Sequence, residues 1–326
     1  MPNILVTVPC DEAHKNMLSQ AAPGADIAYK EAEQATEADL AHVDILFGNV
    51  KPALLASAGR LKLLQLFTAG TDGYLPVLPA GCALANATGA FGLAIGEHLL
   101  ATALTLMKRL HQYRDNQAKR EWKDMGGVTS LEGAIVVALG LGDIGASFAG
   151  KCRALGAYTI GVRRTDANKP GCVDELVLAD ALDSVLPRAD VLALALPGTP
   201  ETARILDRRR IALLKDGAIV LNVGRGSAID QDALADAIEA RGIRAGLDVT
   251  DPEPLPPGHR LWALEGCLIT PHVSGFFHLR QTHDRMVMIA CENIKRLLAG
   301  KPLINLVNPE TGYRLDKYDG GKDAIQ

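Results

Sequence analysis

The stretch IVVALGLGDIG, residues 135–145, decides how this chain is read. An apolar run rich in β-branched residues leads into Gly140, Gly142 and Gly145, spaced as GxGxxG, and the following ASFAGKCRALG has helical periodicity. The first glycine permits a tight turn, the second lets the backbone approach a pyrophosphate, and the third lets helix and strand pack closely. Amides and dipole at the start of that helix then favour phosphate. A lone GxGxxG is weak evidence. Here the preceding strand, the helix and a following strand, YTIGV, stand in the order a dinucleotide site requires.

About 20 residues beyond such a loop an acid usually bonds the adenosine ribose. In this chain the strand runs instead into Arg163, Arg164 and Thr165. Guanidinium groups clasp a 2'-phosphate bidentately, an acid repels it, and a threonine hydroxyl adds a donor. The triplet therefore favours NADP. Asp166 next to it keeps NAD open, and an exposed basic turn without a ligand is the third alternative.

Outward from the glycine loop, VLALALP, AIVLNVG, AGLDV and LITPH continue the alternation of short apolar runs with helix-like segments, bringing the strands of this region to six. Upstream, NILVTV, VDILFG and LKLLQLF repeat the pattern. Both regions read as α/β, with a parallel sheet covered on two faces, and 326 residues suit two such doubly wound domains. From Ile95, IGEHLLATALTLMKRLHQYRDNQ reads as one long amphipathic helix joining them. A last helix, MVMIACENIKRLLAGKPL, meets its stop signal at Gly300 and Pro302. The tail LDKYDGGKDAIQ is polar with two glycines and reads as solvated or disordered.

With 34 basic and 38 acidic side chains the formal charge is -4, which gives no global drive toward nucleic acid or an anionic membrane. The six cysteines include no CxxC, so neither zinc nor a disulfide framework is expected. His278 and His283, spaced by five, do not share a helical face, and no metal is expected there. The N-terminal MPNILVTV lacks a basic leader, and no apolar run approaches the roughly 20 residues of a membrane span. A cytoplasmic protein with no membrane segment is the expectation.

Three later segments each carry a side chain suited to carbonyl chemistry: Arg225 in LNVGRG, Glu253 in DVTDPEPLP and His272 in LITPHVSG. Each follows a strand, and in a doubly wound sheet the C-terminal strand ends face the ligand crevice. Together with LQLFTAGTD, GEH, GLGDIG, LPGTPET and the run from Asp248 to Pro254, in that order, they make the chain resemble the D-isomer-specific 2-hydroxyacid dehydrogenase family over essentially its full length.

The resemblance implies a flavodoxin-like substrate domain from both termini, residues 1–100 and 288–326, with a Rossmann dinucleotide-binding domain, 101–287, inserted between them. It also implies a homodimer. Carried onto these positions, Arg225 holds a 2-oxo acid, His272 protonates its carbonyl as hydride arrives, and Glu253 orients the imidazole and favours its acid form. The loop Ala69-Gly70-Thr71 offers amides to the substrate carboxylate. Asp143 and Ile144 present amides to the pyrophosphate, and Asp248 faces the nicotinamide carboxamide. Pro197, Asn222, Val223, Gly224 and Gly275 line the cofactor cleft, whereas His98 and Thr88 read as structural.

The chain stops soon after TGYRLDK, so no appended regulatory domain is expected. Glu253 argues against the formate-oxidising branch, which pairs its histidine with an amide. Phe276 and Phe277 either narrow the pocket or pack a hinge. The favoured function is NADPH-dependent reduction of a glyoxylate- or hydroxypyruvate-type 2-oxo acid. NAD-dependent oxidation of a D-2-hydroxy acid such as 3-phosphoglycerate is the alternative within enzymes. A dinucleotide-sensing corepressor is the alternative of another class, disfavoured by the lack of long disordered segments.

Overall fold

The computed structural model describes residues 1–164, 169–310, 312, 314 and 315. The chain divides into two compact units, one formed by Met1–Phe91 with Phe277–Gln326 and the other by Gly92–Phe276. The expected breaks stood at 100 and 287. The observed ones lie earlier because the helix Gly92–Met107 packs on the helix Asp143–Ala154 and the helix Arg280–Leu298 on Glu12–Ala21, so that neither helix is split between the units.

The first unit holds strands β1 (Asn3–Val6), β2 (Asp26–Tyr29), β3 (Ile45–Phe47), β4 (Leu63–Gln65) and β5 (Ala83–Ala85), parallel in the order β2-β1-β3-β4-β5. This is the flavodoxin-like order. Alternate residues feed two separate cores. Leu5, Leu46, Leu64 and Leu84 enter one, while Ile4, Val6, Ile45, Phe47 and Leu63 enter the other with Val287, Ala290 and Ile294 of the last helix. Burial on both faces explains why these strands read as continuous apolar runs. The reading passed over β2 and β5: the first is a largely exposed edge strand, and the second is only three residues long, with Leu84 between two alanines.

The second unit holds β6 (Ile135–Leu139), β7 (Tyr158–Arg163), β8 (Glu175–Leu178), β9 (Val191–Leu194), β10 (Ile219–Asn222), β11 (Arg244–Leu247) and β12 (Cys267–Ile269). The parallel sheet runs β12-β11-β10-β9-β6-β7-β8, so the strand order reverses between β6 and β9. That reversal is the switch point at which doubly wound sheets bind nucleotides. The sheet has seven strands where six were read. Strand β8 sits at its edge, half-buried along its length, and its apolar run of Leu176, Val177 and Leu178 is short and bracketed by acids.

The long helix expected from Ile95 is broken in two, Gly92–Met107 and Leu110–Lys119. Arg109 turns the chain with φ 57, and its side chain donates to the Gly127 carbonyl at 2.9 Å. The Arg244 guanidinium meanwhile donates to the freed Leu106 carbonyl at 2.9 Å. One long-range arginine cap, from Arg244, together with the left-handed turn at Arg109, thus ends the helix where no glycine or proline announces it.

Candidate active site

All the expected site residues of the second unit that the structure describes stand at one edge of its sheet, because parallel strands place all their C-terminal ends together. Gly140 to Gly145 join β6 to the helix Asp143–Ala154; Arg163 closes β7 and Arg164 follows it; Pro197 follows β9; Asn222 to Arg225 leave β10. Asp248 and Glu253 follow β11, and His272 and Gly275 follow β12. Thr165 and Asp166 lie outside the described residues.

The glycine loop is built as its spacing predicts. A Cβ at Gly145 would stand 1.8 Å from the Gly140 carbonyl oxygen, so helix and strand touch backbone to backbone there. A Cβ at Gly142 would meet nothing within 4 Å. No side chain caps the helix at Gly142, and the buried Phe148, Ala149 and Cys152 fix its axis against the sheet. An open approach to a helix N-terminus through a glycine suits the pyrophosphate of a dinucleotide. Arg163 is half-buried, whereas Arg164 is exposed. Arg164 lies close enough to Glu201 to help hold that carboxyl below its ordinary value, after the larger effects of hydrogen bonds from Thr199 and the Glu201 backbone.

Side chains at the strand ends hold the loops that follow. Asn222, buried, accepts the Gly224 amide at 3.0 Å and donates to the Arg225 carbonyl at 2.8 Å, clasping the turn that carries Arg225. The Arg225 guanidinium donates to the Gly224 carbonyl at 2.7 Å. Thr202 closes the LPGTPET turn by donating to the Pro197 carbonyl at 2.7 Å. A Cβ at Gly226 would lie 2.0 Å from the Thr250 carbonyl carbon and oxygen, so the loop of Arg225 rests directly on the loop of Glu253. Thr250 in turn donates its amide to Glu253 Oε1 at 3.1 Å.

Glu253 and His272 meet at 2.9 Å between Oε2 and Nδ1, with the two side chains 40% and 53% exposed. With Nδ1 donating to the carboxylate, Nε2 is the ring nitrogen left to exchange a proton with a ligand. His272 has φ 50, and its amide donates to the Asp248 carbonyl at 2.8 Å. The Asp248 carboxylate, in a residue only 3% exposed, accepts from the Thr270 hydroxyl at 2.6 Å and the Val273 amide at 3.0 Å on one oxygen. Its other oxygen accepts the Ser274 amide at 3.1 Å and the Ser274 hydroxyl. Burial pushes this carboxyl up, but the donors from Ser274, Thr270 and Val273 together outweigh it and hold it below its ordinary value.

Sequence reasoning named Asn222 and Asp248 as cofactor contacts and did not foresee their part in shaping the loops. It left out Thr250, Thr270 and Ser274 entirely. The available signal was a polar residue closing an otherwise apolar strand, since such a residue is buried only if the next turn satisfies it.

In the first unit Ala69, Gly70 and Thr71 follow β4. Asn49 accepts the Phe67 amide and donates to the Thr68 hydroxyl, both at 3.1 Å, and Asn86 donates to the Ala69 carbonyl at 2.9 Å. Phe277 packs on Phe67 and His283, with ring centroids 4.9 and 5.0 Å apart, whereas Phe276 is 49% exposed. Thr88 donates its amide to Asn86, and His98, in the second unit, has Nε2 3.4 Å from the Thr270 hydroxyl. Among the described residues no cluster of His, Cys, Asp and Glu is arranged to hold a metal, and no helix is long and apolar enough to cross a membrane.

A glycine-turned phosphate cradle at the switch point of a parallel sheet, with an acid–histidine pair at the same edge, defines the class of dinucleotide-dependent dehydrogenases. Residues 100–274 match the family model for the D-isomer specific 2-hydroxyacid dehydrogenase NAD binding domain. The chain belongs to the D-isomer specific 2-hydroxyacid dehydrogenase family. It is similar to a glyoxylate reductase of Aeropyrum pernix, 30% identical over 295 residues, which are 85% of each chain. A D-3-phosphoglycerate dehydrogenase of Archaeoglobus fulgidus is 30% identical over 269 residues, 79% of this chain and 49% of that protein, so the chain spans about half that relative's length. Among solved structures, a D-isomer specific 2-hydroxyacid dehydrogenase from Xanthobacter autotrophicus Py2 in complex with NADPH and MES matches with a TM-score of 0.81. It is 29% identical, and the match covers 96% of this chain and 99% of that one.

Proposed function

We propose that this protein reduces a small 2-oxo acid of the glyoxylate or hydroxypyruvate type, with NADPH, through Arg225, Glu253 and His272. The observation that carries the reading is the 2.9 Å Glu253–His272 pair, whose Glu253 sits on a loop that rests against the one carrying Arg225. Gly140, Gly142 and Gly145 form the cradle for the pyrophosphate, with the amides of Asp143 and Ile144 turned to it. Pro197, Val223, Gly224 and Gly275 line the rest of the cleft. When bound, the nicotinamide cofactor supplies the hydride that the carbonyl carbon accepts. Arg225 holds the substrate carboxylate and aligns the carbonyl, for which a guanidinium fork is shaped. His272 gives its Nε2 proton to the carbonyl oxygen, yielding the alcohol, and half-exposed as it is regains a proton from solvent. Glu253 fixes the ring and balances the charge of its protonated form.

NADPH is favoured because Arg163 closes β7 and Arg164 follows it, where an acid would select NADH, and the similar Xanthobacter protein was solved with NADPH. A homodimer, as the family resemblance implies, working in the cytoplasm, is part of this reading. The experiment is a panel of 2-oxo acids with NADPH and NADH, followed by loss of nicotinamide absorbance. His272→Ala should lower kcat by roughly 10²–10⁴ while NADPH still binds. Near-normal turnover in that variant overturns the assignment, and a clear preference for NADH turns the reading to an NAD-dependent D-2-hydroxyacid dehydrogenase.

A further inference from the structure

Resting on the proposed reduction of a 2-oxo acid, we infer that Phe277 is a positioning residue: its ring, held between Phe67 and His283, fixes the loop Ala69-Gly70-Thr71 that offers amides to the substrate carboxylate. This loop leaves the C-terminal end of β4. Doubly wound sheets take ligands at that edge beside the switch point, which in the order β2-β1-β3-β4-β5 falls between β1 and β3. Neighbouring strand ends clasp the loop's backbone. Asn49, after β3, accepts the Phe67 amide and donates to the Thr68 hydroxyl, which donates in turn to the Gly70 carbonyl at 2.8 Å. Asn86, after β5, donates to the Ala69 carbonyl at 2.9 Å. These bonds hold main chain and the Thr68 hydroxyl but leave the Phe67 ring, two residues before Ala69, to be fixed by packing. It meets Phe277, with centroids 4.9 Å apart and planes tilted by 41°.

Phe277 is the residue at which the chain re-enters the first unit, and it makes a firm wall only because it is itself backed. Behind it stands His283 at 5.0 Å, and behind His283 stands His14 at 4.4 Å, with planes tilted by 50° in both contacts. Tilted rings at such separations are an arrangement that aromatic quadrupoles favour. Burial first and His14 second hold the His283 imidazole below its ordinary value, so near neutral pH it faces Phe277 as an uncharged ring. The far end of the column is tied down by charge. His14, only 1% exposed, has Nε2 2.8 Å from Asp284 and Nδ1 3.2 Å from Asp11, and Arg280 donates to both carboxylates. Asp11 also caps the helix Glu12–Ala21 by accepting the His14 amide at 2.9 Å. Four rings thus run from two joined helix starts to the residue before Thr68, and Phe277 is the one that bridges to the loop.

The test compares Phe277→Ala, Phe277→Leu and Phe277→Tyr with the parent. It measures kcat and KM for the best 2-oxo acid of the panel, NADPH Kd by nicotinamide fluorescence, and amide hydrogen exchange at residues 67–71, with the helix Asp143–Ala154 as reference. A ring pair is worth a factor of about 2–12 in an equilibrium, so in the Ala and Leu variants KM and exchange at 67–71 should both rise by about that factor. Over the same comparison kcat and NADPH Kd should stay within about twofold of the parent, as expected when only substrate binding is lost. Phe277→Tyr keeps the ring and restores both. Phe277→Leu keeps apolar bulk, so it carries the comparison even if Phe277→Ala does not fold. Parental exchange at 67–71 overturns the inference, as does raised exchange with a parental KM, or a tyrosine variant that restores neither. A loss shared equally by kcat, NADPH Kd and the reference helix overturns it too, by marking plain destabilisation. If the parent turns over no 2-oxo acid, the proposed function fails and the role of Phe277 falls with it; if the parent is active and the variants match it, the role of Phe277 alone fails.

Discussion

Gly142 and Gly145 belong to one motif, yet alanine at the two positions should damage different properties. At Gly145 the new methyl would sit 1.8 Å from the Gly140 carbonyl oxygen, whereas an ordinary contact begins near 3.4 Å. Backbone faces backbone, so no rotamer change relieves the clash. The helix must withdraw by on the order of 1.5 Å and pull Phe148, Ala149 and Cys152 from their packing. Overpacking of this kind costs roughly 3 kcal/mol or more, equivalent to a Tm loss of about 6–12 °C for a domain of this size. At Gly142 the methyl meets no protein atom within 4 Å, and φ of -77° suits alanine. Stability should stay level or rise by roughly 0.4–1 kcal/mol, through the stiffer unfolded chain. The same methyl would hold a pyrophosphate away from the helix amides, and losing one charge-assisted hydrogen bond there weakens NADPH binding by about tenfold or more. Scanning fluorimetry and NADPH titration of both variants give the answer. Parental NADPH affinity in Gly142→Ala refutes the cradle, and parental Tm in Gly145→Ala refutes the packing argument.

Replacing Arg163 and Arg164 together with alanine should cut kcat/KM for NADPH by about tenfold or more, the scale of one lost guanidinium–phosphate pair, and leave NADH nearly unchanged; equal losses would reduce the pair to a fold support. The His283 imidazole is held below its ordinary 6.5 by burial first and by neighbouring His14 second. Its protonated form is thus disfavoured in the folded chain, while the unfolded chain takes up the proton as pH falls through about 6.5. Stability should decline from there toward the folded-state value, and His283→Gln should flatten that part of the curve in urea melts at pH 7.5 and 5.5; an unchanged slope would place the titration elsewhere.

The glycine loop and the strands around it were legible because their apolar runs and turn residues follow from local chemistry. The two sheets were legible for the same reason, since strands buried on both faces announce themselves. Strand β8 and the break at Arg109 were not. An edge strand needs few apolar residues, and the break is stabilised by Arg244, far away in sequence. At the site, Arg225, Glu253 and His272 stood out as polar groups after strands. The 2.9 Å contact between the last two is a matter of how β11 and β12 pair, which no single segment encodes. The work of Asn222 and Asp248 within their own loops was hidden likewise, because a buried polar side chain shows its partners only once the chain has folded.

The contact of Gly226 with Thr250 bears on how this enzyme is to be re-engineered. Two loops that meet through bare backbone have no side chain between them to trim or enlarge, so a library of substitutions cannot tune their spacing by degrees. Any residue larger than glycine wedges them apart at once. Altered substrate choice is therefore better sought in walls made of side chains, with the two loops carrying Arg225 and Glu253 kept as one fixed part.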